Sequence, residues 1–206
     1  ERVLEGATFG LFAAEDIVSA SGKVLIEADE IIELKATDAS GQIKFIADLP
    51  VDGKYYVKEL YAPDSFVNTE EKKEFTFEYG DEKEPLMVYN FTFEDEPTTV
   101  EITKSDLTTA KELPGAHLKV TDKDGNVIDE WTSTEEAHVI KELVVGKTYT
   151  LTETKPADGY VTAESIEFSI ENTAEVQKQE MFDDVTKVKI SKTDITGDVE
   201  IPGAKL

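Results

Sequence analysis

Amines and carboxyls are the reactive groups that this 206-residue sequence repeats. Asp95 stands nine residues before Lys104, and Asp183 stands nine residues before Lys192. Glu59 closes Gly53-Lys54-Tyr55-Tyr56-Val57-Lys58-Glu59, and Glu153 closes Gly146-Lys147-Thr148-Tyr149-Thr150-Leu151-Thr152-Glu153. Taken singly, each is an ordinary strand-borne surface charge, because the chain carries 45 acids and 21 bases. Other chemistries are thinly supplied. Cys is absent, which excludes disulfides, thiolate catalysis and Cys-based zinc sites. Imidazole is offered only by His117 and His138, which lie in different predicted strands and read as half-exposed sheet residues. Ser residues sit mainly in turns, so no Ser-His-Asp arrangement is supported.

Local motifs add little. Gly146-Lys147-Thr148 resembles the end of a phosphate loop, but Lys141 stands where the earlier Gly is required, and a tight turn is expected instead. Asp122-Lys123-Asp124-Gly125-Asn126 resembles a calcium loop. The loop Gly is replaced by Val127 and the closing Glu by Ser133, so it reads as a hairpin turn. Asn90-Phe91-Thr92 fits a glycosylation sequon inside a predicted strand. Trp131, the sole Trp, is assigned to core or edge packing rather than carbohydrate stacking. No metal site or cofactor is expected.

The elements that must position these groups are short strands. Tyr55–Leu60, Glu74–Tyr79, Val88–Phe93, Leu118–Thr121, Thr148–Glu153 and Ile166–Ile170 alternate apolar with polar residues and favour β-branched and aromatic types. Turn signals at Ser40-Gly41, Asp52-Gly53, Asp124-Gly125-Asn126 and Asp158-Gly159 separate them. This punctuation predicts an all-β sandwich architecture. Single helical turns are expected at Ala13–Val18 and Thr134–Ala137. The formal charge of −24 repels phosphate backbones and anionic lipid, so neither nucleic acid nor membrane contact is expected. No apolar run approaches the roughly 20 residues of a membrane span, and no signal peptide is recognisable.

The repetition is internal and long-ranged. Leu4-Glu5-Gly6-Ala7-Thr8-Phe9 matches Leu113-Pro114-Gly115-Ala116-His117-Leu118, and Ile201-Pro202-Gly203-Ala204-Lys205-Leu206 begins a third match. Asp95–Asp106 matches Asp183–Asp194 in the same way. An array of modules follows: a first domain over 1–97, a second over 98–185, and the start of a third over 186–206. The chain reads as a piece of a longer repetitive protein.

A Lys in a first strand, then Leu/Ile-x-Gly-Ala, then Gly-Lys-x-Tyr running to a Glu, then a Pro and an aromatic resembles the B-type repeats of Gram-positive collagen adhesins and SpaA-type pilins. The resemblance covers nearly the whole chain. It implies two tandem transthyretin/prealbumin-like (Ig-like) β-sandwich domains. It also implies an isopeptide bond between a first-strand Lys and a last-strand Asn or Asp, promoted by a Glu. Carried over, Lys104, Glu153 and Asp183 form a full set in the second domain, with Asp184 the adjacent alternative to Asp183. One residue's shift would turn Asp184 to the opposite sheet face. The first domain has Glu59 and Asp95 as equivalents but no matching Lys, because that position would precede Glu1; its first strand reads as missing. Lys192 takes the place of Lys104 for the third repeat.

The implied chemistry needs a neutral amine and a protonated carboxyl. Burial disfavours both charged forms, a neutral Glu polarises the carbonyl and shuttles a proton, and folding supplies proximity. Such a reaction turns over once, so the chain is expected not to be an enzyme. The resemblance implies a stalk module, extracellular and cell-wall-anchored through another part of the protein, with neighbouring repeats as partners. One alternative is a module binding host extracellular matrix or cell-surface glycans through residues 13–35 or 79–85. Another is an accessory domain of a large secreted enzyme. The 186–206 tail could exchange as a strand between chains; a frayed terminus is the plainer reading.

Overall fold

The computed structural model describes residues 2–68, 71–78, 88–197, 199 and 201–203. Among these residues there is no helix, and the regular structure is entirely β. The first repeat supplies β1 (Thr8–Ala13), β2 (Ile17–Val18), β3 (Val24–Ile26), β4 (Ile31–Ala36), β5 (Lys54–Tyr61), β6 (Phe66–Val67), β7 (Lys72–Thr76) and β8 (Glu96–Pro97). The second supplies β9 (Thr99–Asp106), β10 (His117–Asp122), β11 (Val127–Thr132), β12 (His138–Lys141), β13 (Thr148–Lys155), β14 (Ile166–Ser169) and β15 (Gln177–Asp183). The sheet orders are β4-β1-β5-β7, β11-β10-β13-β14 and β12-β9-β15, with two-stranded pieces β2-β3 and β6-β8. The architecture is the expected pair of tandem all-β domains.

Compactness does not follow the repeats. One compact unit comprises residues 1–101, 139–149 and 168–179; the other comprises 102–138, 150–167 and 180–206. The core of the first unit is built by alternation. Phe9, Leu11 and Ala13 of β1 and Tyr55 and Val57 of β5 point inward, joined by Ala7 and Ile17. β1 pairs antiparallel with both β4 and β5, matching Leu11 to Val57 and Gly10 to Leu34. In the second unit Ile102, Leu118, Val120, Leu151 and Met181 are buried at 2% exposure or less. In both units side chains of alternate residues fill the interior because successive strand residues face opposite ways.

The repeated Leu-x-Gly-Ala signature has a physical role that sequence alone did not reveal. Ser133 Oγ donates to the Leu113 carbonyl (2.6 Å) and accepts from the Ala116 amide (2.9 Å), while the Gly115 amide bonds the Ser133 carbonyl (3.0 Å). Thr37 Oγ1 does the same for the Leu4 carbonyl (2.7 Å) and the Ala7 amide (3.0 Å), with the Gly6 amide on the Thr37 carbonyl (3.0 Å). The glycines take φ of 89° (Gly6) and 96° (Gly115), a region closed to most L-residues. Each signature is thus a turn latched by one buried hydroxyl.

Three local expectations are corrected. Ala13–Val18 is not a helical turn: the Ala13 amide bonds the Glu30 carbonyl (3.2 Å), and Ile17–Val18 pairs with β3 as a hairpin. Thr134–Ala137 is a bend between β11 and β12. Val88–Phe93 joins no ladder, although its alternate aromatics still meet the core, Tyr89 and Phe91 at Phe75 and Phe93 at Phe9. Tertiary pairing decides these cases over local propensity. Residues 13–35 form β2, β3 and most of β4, whereas the segment 79–85 lies outside the described residues.

Candidate functional site

Three strands of the second repeat bring an amine and two carboxyls into one buried point. In β9 the inward positions are Val100, Ile102 and Lys104, exposed by 0, 2 and 2%. In β15 they end with Met181 and Asp183, each 1% exposed. β9 and β15 are hydrogen-bonded neighbours, so Lys104 and Asp183 share one sheet face. In β13, from the other sheet, Tyr149, Leu151 and Glu153 point inward, with Glu153 4% exposed. Period-two alternation carries all three reactive groups into the core.

Lys104 Nζ donates to Asp183 Oδ1 and lies 2.9 Å from Glu153 Oε1. The Ala163 amide donates to Glu153 Oε2 at 2.7 Å and fixes the carboxyl's far side. Glu153 Oε1, though ion-paired, makes no hydrogen bond of good geometry, and Asp183 Oδ2 has no partner. Two buried acceptors therefore lack donors. A proton held on one carboxyl supplies a donor and offsets the excess negative charge of two carboxyls around one amine. The Asp183 carboxyl is accordingly raised above the usual range. Burial is the chief cause; Lys104 opposes it and Glu153 reinforces it. A buried carboxyl raised in this way, touching an amine and a second carboxyl, marks the cluster as a candidate functional site.

Asp184 points elsewhere. Its carboxylate pairs with Lys187 at 2.7 Å, and its side chain is 42% exposed. The hydrogen bond from Lys187 holds it below the usual carboxylate range. Asp183, not Asp184, faces Lys104. Beside the site the Tyr160 hydroxyl donates to Asp106 Oδ2 at 2.7 Å. Tyr160 is the aromatic that follows Pro156, and Asp106 ends the first-strand motif. The sequence contained both signals but gave neither residue a role.

The first repeat brings together the matching carboxyls, and no amine among the described residues shifts either of them. Glu59, in β5, is 1% exposed, and it lies four residues after buried Tyr55, as Glu153 lies four after Tyr149. Neither Glu59 oxygen has a donor, and Asp95 Oδ1 also lacks one. Both side chains accept only, so they bond each other only when one is protonated. Glu59 is pushed up to about 8, first by burial and then by the hydrogen bond and charge of Asp95. Burial likewise raises Asp95. Lys192 lies in the exposed segment after β15.

The remaining candidates are structural. His117 is exposed in β10. His138 stacks on Trp131 with centroids 4.1 Å apart, and its Nε2 lies 2.8 Å from Asp129 Oδ2. This is edge packing. Among the described residues no cluster of three or more His, Asp or Glu could hold a metal ion, and no helix is long and apolar enough to cross a membrane.

Comparison with known proteins matches this geometry to a described fold. A family model for the SpaA prealbumin-like fold domain matches residues 1–90 and again 98–184. No curated protein sequence matches. Among solved structures, the Bacillus anthracis TIE protein is 24% identical with a TM-score of 0.52, over 89% of this chain and 31% of its own, so this chain spans about a third of it. The C-terminal fragment of pilus adhesin SpaC from Lactobacillus rhamnosus GG is 16% identical (TM-score 0.47; 90% of this chain, 92% of that one). Shaft pilin SpaA of the same organism is 16% identical (TM-score 0.40; 91% and 87%). At 24% identity the likeness to the TIE protein is one of fold.

Proposed function

The chain belongs to the SpaA prealbumin-like fold domain family, and on that footing we propose that it is a structural stalk segment of a bacterial cell-surface adhesin or pilus-like protein. Its second domain is tied by an isopeptide bond between Lys104 and Asp183, which Glu153 promotes. The neutral Lys104 amine attacks Asp183 Cγ. The amine proton passes through Glu153 to the departing hydroxyl, a C–N bond replaces a C–O bond, and one water leaves. The chain turns over once and is not an enzyme. It works outside the cell, within a protein held at the cell wall of a Gram-positive bacterium, between neighbouring modules of the same kind.

The observation that carries this reading is the contact of one amine with two carboxyls, all under 5% exposed, contributed by the first strand, the last strand and the facing sheet. Intact mass of the purified chain tests it. The expected mass is one water short. Lys104→Ala or Glu153→Ala restores the full mass, and Asp184→Ala leaves the loss in place. A full mass in the unaltered chain overturns the bond and leaves only the repeat fold.

A further inference from the structure

Thr98 stands between the two repeats and is bonded to both. It is fully buried, at 0% exposure. Its amide donates to the Ser65 carbonyl of the first repeat at 3.0 Å. Its carbonyl accepts from the Glu142 amide (2.9 Å), and its hydroxyl donates to the Leu143 carbonyl (2.6 Å), both in the second repeat. Beside it the Val145 amide donates to the Asp64 carbonyl at 2.9 Å. The Arg2 guanidinium also pairs with Glu142 at 2.7 Å, but both side chains are exposed, and such pairs contribute little. All of these residues lie in one compact unit, although 139–149 belongs to the second repeat by sequence.

The loop that follows β12 is shaped for these contacts. Leu143 is buried and anchors it. The Val144 amide donates to the Tyr149 hydroxyl (3.0 Å) and the Gly146 amide to the Ile170 carbonyl (2.8 Å), so these two donors stay within the second repeat. The Glu142 and Val145 amides reach the first repeat and Thr98 instead. Glu142 takes φ of 60°, a left-handed conformation that a residue with a Cβ holds only where its surroundings impose it. Here that conformation aims the Glu142 amide at Thr98. A hinge needs main-chain groups that water takes over as it bends. Thr98 and Leu143 are buried, so parting them leaves a hydroxyl and a carbonyl without partners.

We infer that residues 142–145 are a clasp. Asp64, Ser65 and Thr98 form a docking surface whose partner is this loop of the following repeat, and the clasp opens only when the first repeat unfolds. The amides of Glu142 and Val145 then belong to the folding unit of the first repeat, while the neighbouring Gly146 amide belongs to that of the second. The coupling is reciprocal, so the loop stabilises the repeat that holds it. It does not depend on an amide between Lys104 and Asp183. In a stalk segment, a pull that reaches Thr98 is shared by both repeats instead of bending a loose linker.

Native-state hydrogen exchange on the whole chain tests this, because it reports the opening that frees each amide. Val57→Ala hollows the first core and should speed the amides of β1 and β5 about tenfold or more. Glu142 and Val145 should speed by the same factor, while Gly146 and the amides of β10 and β13 keep their rates. Thr98→Val keeps the side-chain shape without the hydroxyl. In that background Glu142 and Val145 should exchange faster at the outset and no longer respond to Val57→Ala. Thr99→Val is the control, because the Thr99 hydroxyl reaches the Pro97 carbonyl, at 3.4 Å, and not the second repeat; it should leave the response intact. The unaltered chain gives a second measurement that needs no variant to fold. In urea below the unfolding transition, Glu142 and Val145 should share the urea dependence of the β1 and β5 amides. Rates at Glu142 and Val145 that ignore Val57→Ala, or that follow β10 and β13 in urea, overturn the inference. So does a Thr98→Val chain whose response to Val57→Ala is unchanged.

Discussion

Raising the pH should loosen the first domain, and the Glu59–Asp95 pair sets the scale. Glu59 is pushed from an ordinary 4.5 up to about 8, by burial first and by Asp95 second. The folded domain therefore keeps a proton that the unfolded chain has released. Between these two values unfolding releases that proton, so stability falls as pH rises; the contribution is full below 4.5 and gone once pH passes about 8. At about 1.4 kcal/mol per pH unit, the interval sets a ceiling of about 5 kcal/mol. Asp95 is raised as well, so the two carboxyls titrate together and the figure belongs to the pair. Against a typical domain stability of about 5–15 kcal/mol, this is a large fraction.

The measurement needs a probe confined to the first domain. Trp131 fluorescence reports only the second repeat, so the first is followed by the nuclear resonances of Tyr55 and Val57 through urea series at pH 5, 6, 7 and 8. The midpoint should fall steadily across the series. Glu59→Gln, a neutral replacement of similar shape, should flatten most of that fall and raise the midpoint at pH 8. A midpoint that is constant or rises from pH 5 to 8, or a Glu59→Gln chain that keeps the full fall, refutes the argument.

Two further outcomes bear on the second and first domains separately. Lys104→Ala should lower the stability of the second domain, read by Trp131 fluorescence in denaturant. If the proposed amide has formed, losing a tie across 79 residues removes about 4–5 kcal/mol, provided it acts on the unfolded chain as a disulfide does; if it has not, breaking the buried contact of Lys104 with two carboxyls costs about 3–5 kcal/mol instead. Ser133→Ala should destabilise the second domain by about 1–3 kcal/mol, and Thr37→Ala the first by a similar amount, because each strands a buried carbonyl and amide of the Leu-x-Gly-Ala turn. Calorimetry of the two variants should show the loss confined to one transition in each.

The parts that were legible in sequence are those whose signal is local. Alternation in Thr148–Glu153 put Tyr149, Leu151 and Glu153 on one face. Sequence left Asp183 and Asp184 both open; the structure, by turning Met181 inward, turns Asp183 inward too. What stayed hidden depends on partners distant in the chain. Ser133 lies 17 and 20 residues from the groups it latches, and Thr37 lies 30 and 33 from its own. No window of sequence contains such a pair. Val88–Phe93 has a strand's alternation but no ladder, because a strand also needs a neighbour.

Under the proposed function, the placement of Lys104 and Asp183 matters mechanically as well as chemically. Along the chain, Lys104 lies near the entrance to the second repeat and Asp183 near its exit, yet β9 and β15 are hydrogen-bonded neighbours. A load pulling the repeat from its two ends acts first on that pair of strands. Held by hydrogen bonds alone, they part, and the core opens from its edge. With the amide in place, force passes from Lys104 to Asp183 through one side-chain bridge, and the 79-residue separation between them is bypassed. A disulfide could carry the same load but needs Cys, which this chain lacks, and yields to reductant. The amide needs only a buried amine, two carboxyls and a dry core, all of which are present in the second repeat.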